Sequence, residues 1–150
     1  MFRKILFPIH GDELDENDFK IVIDVAEKYN GEIFLLTVSE IYHTGLSDLN
    51  VPEELFEQHK KLLTEYLTKT AKKFEDKGFK VTIAIREGTP YREIVDYADE
   101  INAGLIVIPT HGRSGLPAFI LGSVSQKVVK FAKCPVLTFR PDLKEEYINE

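Results

Sequence analysis

Apolar residues along this chain cluster into five short runs, separated by segments in which they recur with a helical period. Residues 4–9, 32–39, 80–86, 105–108 and 135–140 are rich in β-branched, aromatic and leucine side chains, which predicts strands. Ile33-Phe-Leu-Leu-Thr-Val38 and Leu105-Ile-Val-Ile108 are apolar without alternation, as expected of central strands covered on both faces. Val81-Thr-Ile-Ala-Ile-Arg86 alternates in size and polarity, which places that strand nearer an edge. Strand and helix alternating along the chain predict an α/β fold with a mostly parallel sheet.

The intervening segments carry helix signals. Between Asp15 and Tyr29, Val22, Val25, Ala26 and Tyr29 form one stripe, with Asn30-Gly31 as a left-handed stop. Over residues 53–77 the pairs Leu55/Phe56, Leu62/Leu63, Tyr66/Leu67 and Ala71/Phe74 mark the longest helix, ended by Gly78. Gly88-Thr89-Pro90 places a capping residue before a first-turn proline, and Ile94, Val95, Ala98 and Ile101 follow as the buried stripe. Ser123-x-x-Gln126 reads as a capping box, with Val124, Val128, Val129 and Phe131 facing inward. Residues 41–51 read as a surface loop. The organisation expected is one domain over residues 1–141 and a charged tail over 142–150.

Composition removes several function classes. The chain has 150 residues and a net charge of -6, with Lys and Arg interspersed among Asp and Glu. No basic stripe is present for counterion release from nucleic acid. No apolar segment approaches membrane-spanning length and the N-terminus lacks a signal-peptide pattern, so a soluble, cytoplasmic protein is expected. The single Cys134 excludes an internal disulfide and reads as a structural thiol. His10, His43, His59 and His111 lack metal-ligand spacing. No base stands paired with a nucleophile, which argues against catalysis.

Candidate chemistry gathers after the first and fourth strands. In an open parallel sheet, ligands bind beyond the carboxyl ends of strands whose connections leave to opposite faces. Pro8-Ile-His-Gly-Asp12 and Pro109-Thr-His-Gly-Arg-Ser-Gly115 would then border one cleft. Gly122-Ser123 opens a helix whose unshared N–H groups favour an anion. A phosphate cradle accounts for these residues, and so do two ordinary turns with a helix cap.

The same residues carry a family resemblance along nearly the whole chain. Arg3-Lys-Ile-Leu-Phe-Pro8, Arg86-Glu-Gly-Thr-Pro90, the run from Ile106 through Pro109, Thr110 and His111 to Leu116, Leu121-Gly-Ser-Val124 and Cys134-Pro-Val-Leu137 resemble the universal stress proteins. That resemblance implies a Rossmann-like, adenine nucleotide alpha hydrolase-like fold: an open five-stranded parallel sheet of order 3-2-1-4-5, with helices on both faces. It also implies a homodimer joined through the last strand, residues 135–140, where an apolar edge offers unpaired backbone groups and Pro135 limits the pairing. One branch of the family binds ATP. By that resemblance the nucleotide, with magnesium, would contact Pro8, Ile9, His10, Val38, Gly112, Arg113, Gly122, Ser123, Val124 and Ser125.

Two positions depart from the binding branch. Its first motif glycine is here Pro109, which removes an N–H and adds a ring. Its aspartate after the first strand is here His10, which exchanges an anionic acceptor for an imidazole. Arg113 supplies a compensating positive charge, while Asp12, Glu13, Asp15, Glu16 and Asp18 form an acidic cluster near the first helix. Three readings follow: a nucleotide-responsive regulatory module, a dimeric interaction module without nucleotide, and a nucleotide hydrolase or adenylate-transfer enzyme.

Overall fold

The computed structural model describes residues 1–10, 16–40, 52–110 and 122–140. Five strands, β1 (Lys4–Pro8), β2 (Glu32–Ser39), β3 (Val81–Glu87), β4 (Leu105–Pro109) and β5 (Val136–Phe139), alternate with α1 (Glu16–Tyr29), α2 (Glu53–Glu75), α3 (Pro90–Ile101) and α4 (Ser123–Phe131). All four strand pairings are parallel, and the sheet order is β3-β2-β1-β4-β5. The two continuous apolar runs are interior strands, and the alternating run, β3, is an edge.

Side-chain alternation along the strands divides the core into two layers. Ile5, Phe7, Ile33, Leu35, Leu105 and Val107 face α1 and α2, where Phe19, Val22, Leu67, Ala71 and Phe74 meet them. Leu6, Phe34, Leu36, Ile106 and Ile108 face α3 and α4, where Ile94, Tyr97, Ala98 and Val128 close the second layer. Helices therefore cover both faces of the sheet.

Several helix details differ from the sequence expectation. In α1, Phe19 takes a core place, while Tyr29 is exposed and packs edge-on against Phe2 at 5.0 Å. Asn30 alone carries the left-handed conformation there, at φ 50°. Gly31 is required for another reason: a Cβ would lie 2.9 Å from Ile5 Cδ1 and 3.1 Å from the Phe2 carbonyl oxygen. Gly78, at φ 91°, does stop the chain after α2.

In α2 only the second half is sealed. Leu67, Thr70, Ala71 and Phe74 are buried, whereas Leu55 and Leu62 are exposed. A 23-residue helix runs about 34 Å, longer than the roughly 26 Å of an eight-residue strand, so its first turns overhang the sheet. His59 is half-buried on the same helix.

Thr89 and Pro90 stand at the N-cap and first position of α3, without a side-chain capping bond. For α4 the capping box is not formed. Gly122 occupies the N-cap and Ser123 lies exposed in the first turn. Gly122 fits the cap because its carbonyl accepts the first intrahelical bond, from the Gln126 amide at 2.9 Å. Val128 is buried and Val124 packs on the second core, but Val129 and Phe131 are exposed; Phe131 instead lies 5.6 Å from the Tyr91 ring on α3.

Candidate functional site

Neighbouring strands send their connections to opposite faces at the β3–β2 margin and, between two interior strands, at β1 and β4. β1 leads into α1, on the first layer, and the adjacent β4 is followed by α4, on the second. Ile5 pairs with Leu105 and Leu6 with Ile106; continued along both strands, that register sets Ile9 and His10 level with Pro109 and Thr110. The two exits thus rise side by side at the carboxyl rim, where an open α/β sheet leaves a crevice.

The β1 exit is fixed by β2. The Ile9 amide donates to the Leu36 carbonyl at 2.8 Å, and Thr37 Oγ1 donates to the Ile9 carbonyl at 2.9 Å. Pro8 and Ile9 are buried, and His10 is the first exposed residue after the strand. Val38, expected near a base, is buried in the second core, with its main chain level with Arg86 of β3.

The β4 exit is tied to β5 and to α4. The Thr110 amide donates to the Phe139 carbonyl at 2.8 Å. The Thr110 carbonyl accepts from the Gly122 amide and from Ser125 Oγ, the latter at 2.7 Å. Ser125 Oγ also reaches the Gly122 carbonyl at 3.1 Å. The first intrahelical bond is made by Gln126, so the amides of Ser123, Val124 and Ser125 have no acceptor within α4. This turn is where the helix dipole favours negative charge.

Of the ten residues expected at a nucleotide, Pro8, Ile9, His10, Val38, Gly122, Ser123, Val124 and Ser125 fall at this rim. Gly112 and Arg113 lie outside the described residues, as do Gly11, Asp12, Glu13, Asp15, Tyr42, His43, His111, Gly115 and the segment 142–150. Thr37 and Thr110 join the site through hydrogen bonds, Thr110 from within the exit stretch after the fourth strand. The only signal for Thr37 was a hydroxyl within an otherwise apolar strand.

Elsewhere the charged groups are structural. Arg86 of β3 donates to both carboxylate oxygens of Glu100, at 3.1 and 2.5 Å, and to Glu93 at 3.3 Å, with its guanidinium 5.3 Å from the Tyr97 ring centre. The Arg86 bond holds the Glu100 carboxyl below its ordinary range. Cys134 is half-buried against the second core, and burial pushes its thiol above the usual value, consistent with a structural role. Among the described residues no group of three His, Cys, Asp or Glu side chains is arranged to hold a metal, and no helix is long and apolar enough to cross a membrane.

Known proteins share both sequence and architecture with this chain. The profile of the Universal stress protein family matches residues 1–140. Universal stress protein MJ0531 of Methanocaldococcus jannaschii is 34% identical over 146 residues, covering 97% of this chain and 86% of that protein. The solved structure of protein MJ0577 from the same organism superposes with a TM-score of 0.81 at 29% identity, covering 96% of this chain and 99% of the other. A universal stress protein solved in complex with cAMP shares the fold, with a TM-score of 0.66 at 18% identity, and covers 93% of this chain and 97% of its own. The chain is a member of the universal stress protein family.

Proposed function

We propose that this protein is a regulatory module that binds ATP, or a related nucleotide, with magnesium in the crevice between the β1 and β4 exits. The observation that carries the reading is the first turn of α4. Its N-cap, Gly122, is held to the Thr110 carbonyl, so the amides of Ser123, Val124 and Ser125 stand at the rim where β1 and β4 diverge. Oriented amides at a helix N-terminus suit phosphate oxygens. A nucleotide complex of another protein with this fold supports the capacity of the architecture.

His10 sits at the same rim, exposed. There an imidazole donates a hydrogen bond more readily than the aspartate of the binding branch would, which favours a phosphate over a ribose hydroxyl. Two copies are proposed to pair along β5, whose Val136, Leu137 and Thr138 are only half-buried at the sheet margin.

A ligand bound by the folded state alone raises the unfolding temperature as its concentration rises. Addition of ATP with magnesium is expected to raise the melting temperature in a dose-dependent way, and Gly122→Val to remove the response while the far-ultraviolet circular dichroism stays unchanged. A flat response of the unsubstituted protein at millimolar ATP would instead favour an interaction module that works without nucleotide.

A further inference from the structure

Two hydroxyl groups at the carboxyl rim are sealed from solvent. Thr37 and Ser125 are each 2% exposed. Each donates to the carbonyl of the residue at which a strand leaves the sheet: Thr37 Oγ1 to Ile9 at 2.9 Å, and Ser125 Oγ to Thr110 at 2.7 Å. Those two residues are also held through their amides, Ile9 to Leu36 and Thr110 to Phe139, both at 2.8 Å. Each exit residue is therefore pinned through both its amide and its carbonyl, the carbonyl by a side-chain hydroxyl from a neighbouring element.

The two pins do different things. Thr37 secures Ile9 as the chain leaves the sheet, and the next residue, His10, turns outward. Ser125 closes a small ring with Gly122 and Thr110: the Gly122 amide and the Ser125 hydroxyl share one acceptor, and the hydroxyl also touches the Gly122 carbonyl. That ring sets the first turn of α4 against the end of β4. Without the hydroxyls the Ile9 carbonyl would lose its Thr37 donor and the Thr110 carbonyl one of its two donors, and a buried acceptor that loses a donor drives local rearrangement.

We propose that Thr37 and Ser125 are positioning residues of the crevice, which hold the β1 exit and the α4 N-terminal turn at a fixed separation so that the Ser123 and Val124 amides meet a phosphate already oriented. The inference rests on the nucleotide reading above and extends it to residues whose hydroxyls face inward. Ser125 then offers a ligand its amide, while its hydroxyl serves the scaffold. Positioning of this kind acts through preorganisation, since amides held in place lose less on binding than amides that must be ordered.

The test uses the full chain with Thr37→Val, Ser125→Ala, and the hydroxyl-keeping Thr37→Ser and Ser125→Thr. Calorimetric titration with magnesium-ATP is expected to show about tenfold weaker binding for each hydroxyl deletion, the size of one lost buried hydrogen bond, and near-normal binding for the conservative pair. Amide hydrogen exchange gives a readout independent of ligand: Thr37→Val should speed exchange at Ile9, and Ser125→Ala at Gly122, with the centre of β2 unchanged. Unchanged exchange at both amides would overturn the pins themselves. Faster exchange with unaltered affinity would overturn their role in binding. If the unsubstituted protein takes up no magnesium-ATP, the nucleotide reading fails and the positioning role fails with it, while the exchange data still decide whether the pins exist.

Discussion

Phe7 lies at the centre of the first core layer, fully buried, with Phe19 at 6.1 Å and Phe74 at 6.4 Å, both edge-to-face, and Phe139 at 6.5 Å. Phe19 and Phe74 meet each other at 5.7 Å. Edge-to-face rings add specific attraction to the burial of their area, and here they join β1, α1, α2 and β5 at one point. Phe7→Ala should therefore cost about 3–5 kcal/mol of stability, measured by urea unfolding; a loss under about 1 kcal/mol would mean that the layer can collapse into the space. The Phe7 position is readable from its strand run, because an aromatic within the apolar run Ile5 to Ile9 of a central strand has no exposed face to occupy. Ser123 departs from the expected cap for an equally physical reason. Ser-x-x-Gln fits a capping box, but glycine one residue earlier adopts the N-cap backbone, at φ -63° and ψ 157°, and shifts the helix phase by one.

At the scale of elements, α2 separates helical period from burial. Its apolar stripe runs its full length, yet only the half that lies over the sheet is sealed; Leu62 is 64% exposed and Leu67 is fully buried. Leu62→Lys is expected to change stability by no more than about 0.5 kcal/mol, and Leu67→Ala to cost about 2–5 kcal/mol, with urea midpoints as the measurement. Similar losses for both would show that the first turns are covered in solution. The link from β3 to α3 is electrostatic. Because Arg86 holds the Glu100 carboxyl below its ordinary value, the folded state binds that proton less tightly than the unfolded state. The pair's contribution is present above the ordinary carboxylate value and fades as pH falls through the depressed one. Glu100→Gln should give a shallower loss of stability on acidification, followed as urea midpoint against pH; equal slopes would assign the acid sensitivity elsewhere. Solvent around Glu100, 55% exposed at its side chain, keeps the effect small.

For the whole molecule, the strand pattern carried most of the information about architecture. Two continuous apolar runs can only be interior strands, and one alternating run marks a margin, so the layering followed from Ile33–Val38, Leu105–Ile108 and Val81–Arg86. The divergence of the β1 and β4 connections was legible as topology, since it depends on which way connections leave. The pins at the carboxyl rim were not legible, because a hydroxyl inside an apolar strand reveals a need for an acceptor without saying which carbonyl supplies it. The two sheet margins also differ in chemistry. β3 has seven residues and carries Arg86 and Glu87, with Lys80 just before it, whereas β5 has four residues and no charge. If copies pair along β5, Val136→Asp should shift the protein to a monomer in sedimentation, and an unchanged sedimentation coefficient would count against that margin.

The same inequality of margins bears on how large an assembly can grow. A sheet inviting at both sides can recruit copies without end, as fibres do, while a sheet with one inviting side and one fringed with ions is used up after a single partner. Arg86, drawn across to Glu93 and Glu100, stands on the discouraging side. A residue at the far margin of the sheet would in this way help set a finite size for the particle.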